Sequence, residues 1–260
     1  MNNDLLKNYD DKQIIITASQ LSAKDPDMGI AITKPANLNL QDFEYDIARM
    51  NNSVPYHYGD KSLKNELENN TIPVLVYPVY VFLVENERFP TLQEATLAYI
   101  NMYCDKIGQS EYRFKEKYHV EGNPRFFYSD ILGRMYRSYY SFVREIQLLL
   151  ALSEYDDIEV KYDFRLDLEG ADIICTNPTT GKIAYIASYV YTPRSMSWKY
   201  RKDNFKHDHP FDCYIDAIAY MGDYRSNTMK VGAAAVYTPK YVSELHAQII
   251  ALTSIEEARA

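Results

Sequence analysis

Glycine is scarce in this chain, with 9 in 260 residues. Loops that cradle a nucleotide need backbone able to approach phosphate oxygens closely, and neither a G-x-x-x-x-G-K-[ST] loop nor a G-x-G-x-x-G turn occurs. The G-x-S-x-G nucleophile elbow of serine hydrolases is missing as well. Cysteine is rarer still: Cys104, Cys175 and Cys213 are far apart and lack C-x-x-C spacing, which argues for structural thiols in a reducing compartment over redox or zinc chemistry. No apolar run is long enough to cross a bilayer, and no basic-then-apolar leader opens the chain, so a cytoplasmic location without membrane contact is expected. A surplus of positive charge is also lacking. The formal charge of -8 excludes a surface that is basic throughout, and any nucleic-acid contact has to come from a local patch.

Tyrosine, by contrast, is abundant, at 25 residues. Its flat amphipathic ring suits partner and base-stacking surfaces, and it equally fills sheets and half-buried helix faces. Hydrophobic residues make up 47% and charged residues 25%, the composition of a globular protein long enough to bury a core.

No internal repeat, low-complexity tract or Gly/Ser linker divides the chain, so boundaries follow shifts of pattern. The N-terminal region, residues 1–110, reads as α+β of unknown role, and residues 111–260 as a second domain. In the first, Ile14 to Thr17 form a β-branched run, Lys24 to Asn39 a polar stretch, and "IPVLVYPVYVFLV" from Ile72 to Val84 an edge or interrupted strand, because Pro73 and Pro78 cannot donate to a ladder. A helix then starts at Thr91, whose N-cap role is signalled by Glu94 three residues on, and runs toward Gly108. The clearest helix extends from Ser129 or Asp130 to about Ser153, with Leu132, Met135, Tyr136, Tyr139, Phe142, Val143, Ile146, Leu149 and Leu150 in one stripe and Arg134, Arg137 and Arg144 off it. Strands follow in "DIEVKYDF", "ADIICTN" and "KIAYIASYVYT", the last two joined by a turn at Pro178 to Gly181. "DCYIDAIAYMGDY" reads as a helix, "KVGAAAVYT" as a strand and "YVSELHAQIIALTSIEEA" as a closing helix. The fold class is α/β in the mixed α+β sense: a small mixed sheet flanked by helices in the C-terminal half, with an N-terminal α+β extension.

Cutting a phosphodiester requires hard divalent cations held by converging carboxylates, which activate a water. Two acids stand where such a site could form: Glu145 in "FVREIQLLLAL", beside the helical stripe, and Asp172 in "GAD", on the first hairpin strand. Helix with Glu, strand, hairpin with Asp, and second hairpin strand is an order that resembles the core of the PD-(D/E)XK nuclease superfamily, over about residues 130–240. The resemblance implies a restriction-endonuclease-like sheet with flanking helices, and gives Asp172, with Glu145, the role of catalytic metal ligand for Mg2+. It also implies a glutamate and a lysine on the second hairpin strand. Aligning "YIASYV" with that E-x-K places Ala187 and Tyr189 there instead. Alanine binds no metal, and a phenol that titrates near pH 10 gives a neutral hydrogen bond in place of a fixed charge. The purely structural roles open to the same acids are a strand-end aspartate bonding the turn and a helix-flank glutamate paired with Arg144 or a nearby arginine. Asp163, Asp167 and Glu169 are further acids upstream, and the alternation of "KYDFRLDLEGAD" points Asp163 and Asp167 to solvent.

Just beyond the hairpin, "TPRSMSWKYRK" sets Arg194, Lys199, Arg201 and Lys202 among Ser195, Ser197, Trp198 and Tyr200. Cations beside hydroxyls and an aromatic face suit phosphate contact with base stacking. His207 and His209, with Asp208, Asp212 and Cys213 near, lack a second paired ligand cluster and read as a surface loop, while His57, His119 and His246 have no acid or nucleophile partner evident in the sequence. The expected function is therefore binding of nucleic acid, DNA before RNA, or of another phosphate-bearing ligand, on a nuclease-like core with a degenerate motif and no efficient cutting. In that reading the N-terminal half supplies specificity or the interface of a homo-oligomer. Two alternatives stand beside it: an active Mg2+-dependent endonuclease using Glu145 and Asp172, and a phage or mobile-element interaction module, an inhibitor or adaptor whose tyrosine-rich surface binds a protein partner.

Overall fold

The computed structural model describes residues 31–33, 38–50, 75–103, 127–163, 166–167, 170–193, 195–197, 213–222 and 226–254. It is a mixed α+β fold. Two compact units emerge: residues 1–28 with 51–139, and residues 29–50 with 140–260. The boundary drawn at residue 110 from sequence pattern lies outside the described residues, as do Ile14 to Thr17.

In the first unit, helix α2 spans Val76–Asn86 and helix α3 spans Leu92–Tyr103. The edge strand expected over Ile72 to Val84 is thus corrected to a helix over its described part. Pro78 does not forbid it, because it stands in the first turn, where the missing N–H would have no intrahelical acceptor. The unbroken apolar run reflects a helix buried on several sides, with Val76, Tyr77, Val79, Tyr80, Phe82 and Leu83 all in the core. Helix α3 begins as its sequence demands: the Thr91 amide donates to Glu94 Oε2 at 2.8 Å, and the Glu94 amide to Thr91 Oγ1 at 3.3 Å. Arg88 grips the same carboxylate with both terminal nitrogens, at 2.9 and 2.6 Å. Burial works to raise the Glu94 pKa, but the bonds from Arg88 and Thr91 outweigh it and hold the carboxyl below its usual range.

Helix α4, Phe127–Leu152, gives its first half to this unit and the remainder to the second. In the first half Tyr139 sets its ring edge against Phe89 at 5.3 Å and donates its hydroxyl proton to the Pro90 carbonyl at 2.6 Å. Several tyrosines serve the core in this way: Tyr77, Tyr80, Tyr99, Tyr139, Tyr162 and Tyr237 are among the largest fully buried side chains.

The second unit is built on a five-stranded sheet in the order β1 (Ala31–Thr33), β2 (Glu159–Asp163), β3 (Ile173–Thr176), β4 (Ile183–Val190) and β5 (Tyr214–Ala219). Neighbours are antiparallel as far as β4, and β4 and β5 run parallel, with Ala187 level with Asp216 and Ser188 level with Ala217. The helix expected in "DCYIDAIAYMGDY" is corrected to strand β5. Its apolar residues satisfy both periods, and pairing with β4 selects the alternation in which Ile215, Ala217 and Ala219 are buried and Asp216 exposed. The strand expected in "KVGAAAVYT" is a hairpin, β6 (Thr228–Val231) and β7 (Ala234–Tyr237), turning at Gly232 and Ala233. A two-residue turn with positive φ at its first central residue is what strand twist favours, and Gly232 has φ 57°.

Helix α5, Pro239–Thr253, starts with Thr238 as N-cap and packs on β4. At its far end the Thr253 carbonyl accepts from Thr180 Oγ1 at 2.8 Å, so the β3–β4 turn satisfies a carbonyl that the helix leaves open. Helix α1, Leu40–Arg49, carries the N-cap Asn39 and packs on β6. No helix among the described residues is long and apolar enough to cross a membrane.

Two outcomes are expected. A Cβ on Gly232 would stand 2.8 Å from the Ile47 carbonyl oxygen, whereas one on Gly181, φ 71°, meets nothing within 4 Å. Gly232→Ala should therefore cost about 2 to 3 kcal/mol and Gly181→Ala about 1 kcal/mol in urea unfolding. Because the folded-state pKa of Glu94 is depressed, its contribution is complete above the ordinary carboxylate pKa and is lost as pH falls through the folded value. The stability gap between the wild type and Glu94→Gln, about 1 kcal/mol at neutral pH, should close on acidification below that range.

Candidate functional site

Strand β7 brings Tyr237 against the parallel pair at the centre of the second unit. Its hydroxyl donates to the Ala217 carbonyl on β5 at 2.6 Å, and with that proton committed it accepts from Ser188 Oγ on β4 at 3.0 Å. Its backbone is held just as firmly. The Tyr237 amide donates to Gln147 Oε1 at 3.3 Å, and Gln147 Nε2 donates back to the Tyr237 carbonyl at 3.2 Å. Burial pushes the Tyr237 pKa up; Ser188 and Arg144 oppose that, while Tyr241 and Asp172 add to it. This phenol stays protonated at physiological pH and serves as a fixed dipole, not as a base.

Asp172 stands immediately before β3, half-buried. Its amide donates to the Ile186 carbonyl at 2.8 Å, and its Oδ2 accepts the Ser188 amide at 2.5 Å. The carboxylate thus continues the ladder of β4 past the point where the β3 backbone leaves it. Glu145, on α4, is buried at 8% exposure and sits beside Arg144, whose charge it favours. Both acids therefore border the Arg144–Tyr237 pair, Glu145 through Arg144 and Asp172 through Tyr237.

Arg144 does not lie off the buried surface. The sequence pattern placed it there, but every residue from Phe142 to Leu152 is buried, so in this half of α4 no face is left for solvent. Asp163 is corrected likewise: it is 7% exposed at the end of β2. Asp167 is half-buried and accepts the Tyr162 hydroxyl at 2.8 Å. His246 does have an acid partner, Asp157, at 2.7 Å, and Tyr155 stacks on its ring at 3.8 Å. The Cys175 thiol is buried and its pKa pushed up to about 12, which removes it as a nucleophile.

The C-terminal end of the parallel pair carries a different surface. The Tyr191 amide donates to the Ala219 carbonyl at 2.9 Å, and the Tyr191 and Tyr220 rings stack at 5.1 Å with Tyr191 43% exposed. Met221, beside them in sequence, is also exposed. The segment leaving β4 turns into helix at Pro193, with the Ser195 amide donating to Thr192 Oγ1 at 3.0 Å and the Ser195 hydroxyl donating to the Val190 carbonyl at 2.5 Å. That hydroxyl is committed to shaping the exit from β4. Arg194, Trp198, Lys199, Arg201 and Lys202 lie outside the described residues, as do Glu169, His57, His119, His207, His209, Asp208 and Asp212.

Among the described residues, the donors in place do not by themselves make a Mg2+ site. Ala187 occupies the position expected for a second hairpin acid, Asp172 is engaged by a backbone amide, and among the described residues no three His, Cys, Asp or Glu side chains are grouped to hold a metal ion. Sequence reading overlooked Tyr237, Gln147, Ser188 and the exposed Asp216. The first three were hidden by separation in the chain, the last by the mistaken helix. Comparison with protein-family models, curated proteins and solved structures yields no match.

If Asp172 acts as an amide acceptor, Asp172→Ala leaves the Ser188 N–H without its bond and should lower unfolding free energy by about 1 to 3 kcal/mol, while Asp172→Asn, which keeps an acceptor oxygen, should retain most of it. Chemical denaturation of the two variants checks this directly.

Proposed function

We propose that this protein binds nucleic acid, or another phosphate-bearing ligand, in the cytoplasm on a PD-(D/E)XK-like core that does not cut efficiently. The observation that carries the reading is Asp172: the residue matching the family's metal ligand spends a carboxylate oxygen on the Ser188 amide, and the second strand offers Ala187 in place of an acid. The order α4, β2, β3, β4, crossover, β5, with β4 and β5 parallel, supports the resemblance. Ligand binding is supported by where the basic segment falls in the chain. It lies in the crossover between two parallel strands, directly after Tyr191, and ligands of open α/β sheets collect at the carboxyl ends of such strands. The exposed Tyr191 ring, backed by Tyr220, offers a face on which a base can stack.

Gel-shift titrations with single-stranded and duplex DNA and RNA, run alongside cleavage assays in Mg2+ and Mn2+, test the reading. Salt-sensitive binding without strand breakage is the expected outcome. Replacing Lys199, Arg201 and Lys202 together with alanine should weaken binding and reduce the slope of log K against log salt by about 2 to 3 on duplex DNA. Cleavage abolished by Asp172→Ala would instead make it a working nuclease, and an unchanged slope in the triple variant would remove the basic segment from the interface.

A further inference from the structure

The carboxyl end of the parallel pair gathers exposed apolar surface. Among the described residues the exposed large hydrophobic side chains are Tyr45, Tyr191 and Met221, and two of these three belong to this end of β4 and β5. Tyr45 has the Arg49 guanidinium over its ring at 5.0 Å, so its own helix supplies a cation to that face. Tyr191, 43% exposed, rests instead on another aromatic ring, that of Tyr220, with 5.1 Å between centroids and 30° between planes. Both rings spring from pinned backbone. The Tyr191 amide donates to the Ala219 carbonyl at 2.9 Å, the Tyr220 amide donates to Asn227 Oδ1 at 2.8 Å, and the Tyr220 carbonyl accepts from Thr228 Oγ1 at 3.1 Å. A planar side chain held in this way loses little freedom when a flat ligand covers it, so contact area becomes affinity at small ordering cost.

A base stacks on such a ring only if one of its own faces is open. In a duplex every base but the last lies between two neighbours, and lifting one out to meet a tyrosine forfeits two stacks for one. A single strand makes the same contact without that cost. Charge points the same way: the chain carries a formal charge of -8 and exposes Asp216 on β5, and a duplex presents about twice the charge per unit length of one strand. The basic segment begins at Arg194, three residues beyond Tyr191, so a ring for a base and cations for phosphates follow one another in the chain. On the reading that this chain binds nucleic acid, we propose that it selects single strands over duplex, with an unpaired base stacked on Tyr191. Tyr191 touches the ligand, and Tyr220 acts through Tyr191 by holding its ring in place.

The test uses the full chain and fluorescence anisotropy with three labelled probes of equal length: an oligothymidylate, the same strand made abasic throughout, and a blunt duplex. The wild type should bind the oligothymidylate about tenfold more tightly than either of the others, the worth of one base stacked on one ring. Tyr191→Ala should lose about that factor on the oligothymidylate and less on the other two, so that the preference disappears. Tyr191→Phe keeps the ring and should keep the preference, which leaves the idea testable if the alanine variant does not fold. Wild-type affinity for the oligothymidylate in Tyr191→Ala overturns the proposal, and so does equal loss on all three probes, loss of the preference in Tyr191→Phe, or a wild type that binds the duplex as tightly as the single strand. A patch used by a second copy of the chain would show as a dimer that Tyr191→Ala dissolves in sedimentation, and that result also overturns it. The triple alanine variant of Lys199, Arg201 and Lys202 distinguishes this inference from the wider reading. If that variant loses affinity for every probe while Tyr191→Ala loses none, the basic segment is the interface and the stack is not; absence of salt-sensitive binding to any probe removes both.

Discussion

The clasp between Tyr237 and Gln147 is the interaction on which the second unit depends. A side-chain amide can imitate a strand neighbour, giving a donor and an acceptor to one residue's backbone, and Gln147 does this for Tyr237. The exposed rail of β7 is thereby closed by a helix instead of by another strand. From the same residue the phenol reaches across to join β4 and β5, and Gln147 Nε2 also donates to Glu44 on α1 at 3.3 Å. One tyrosine and one glutamine thus tie α1, α4, the hairpin and the parallel pair. A similar device guards the edge of β5, where Asn227 accepts the Tyr220 amide and donates to the Ile218 carbonyl, each at 2.8 Å.

With that scaffold fixed, the fate of the hairpin acid is a matter of competition for lone pairs. A carboxylate that accepts a backbone N–H in a half-buried setting stabilises the strand end, and the same oxygen is then less available to a cation. In a metal-dependent nuclease several acids share the cation, and each is oriented by the others. Here the position on the second hairpin strand is Ala187, which offers no such competition. The acid is part of the sheet's own hydrogen bonding.

What the sequence made legible was local. Thr91 with Glu94 announced the start of α3, the 3.6-residue stripe announced α4, and Pro178 to Gly181 announced a turn, two of whose amides donate to Asn177 Oδ1. What it concealed depended on neighbours far along the chain. Helix α2 and strand β5 are apolar segments whose period is ambiguous until packing chooses, and the prolines of the first and the alanines of the second pointed the wrong way. The burial of Arg144 and Asp163 was invisible because each is polar at a position where alternation or an apolar stripe suggests an outward face. The His246–Asp157 pair spans 89 residues. The candidate site was half legible: its acids and basic segment could be named, but Tyr237 at its centre looked like one tyrosine among 25.

The second unit takes residues 29–50, which lie in the chain between the two pieces of the first, together with residues 140–260, so that residues 51–139 are inserted between its own two pieces. Strand β1 and helix α1 are therefore synthesised long before the strands and hairpin that receive them, and must wait while the intervening residues emerge from the ribosome. Bringing the two pieces together across a flexible interval of that length costs roughly 4 kcal/mol of chain entropy, a penalty that shrinks if the interval has already folded and drawn its ends near each other. The chain's maturation thereby acquires an order, in which early collapse of the inserted portion prepares the late closure of the split one.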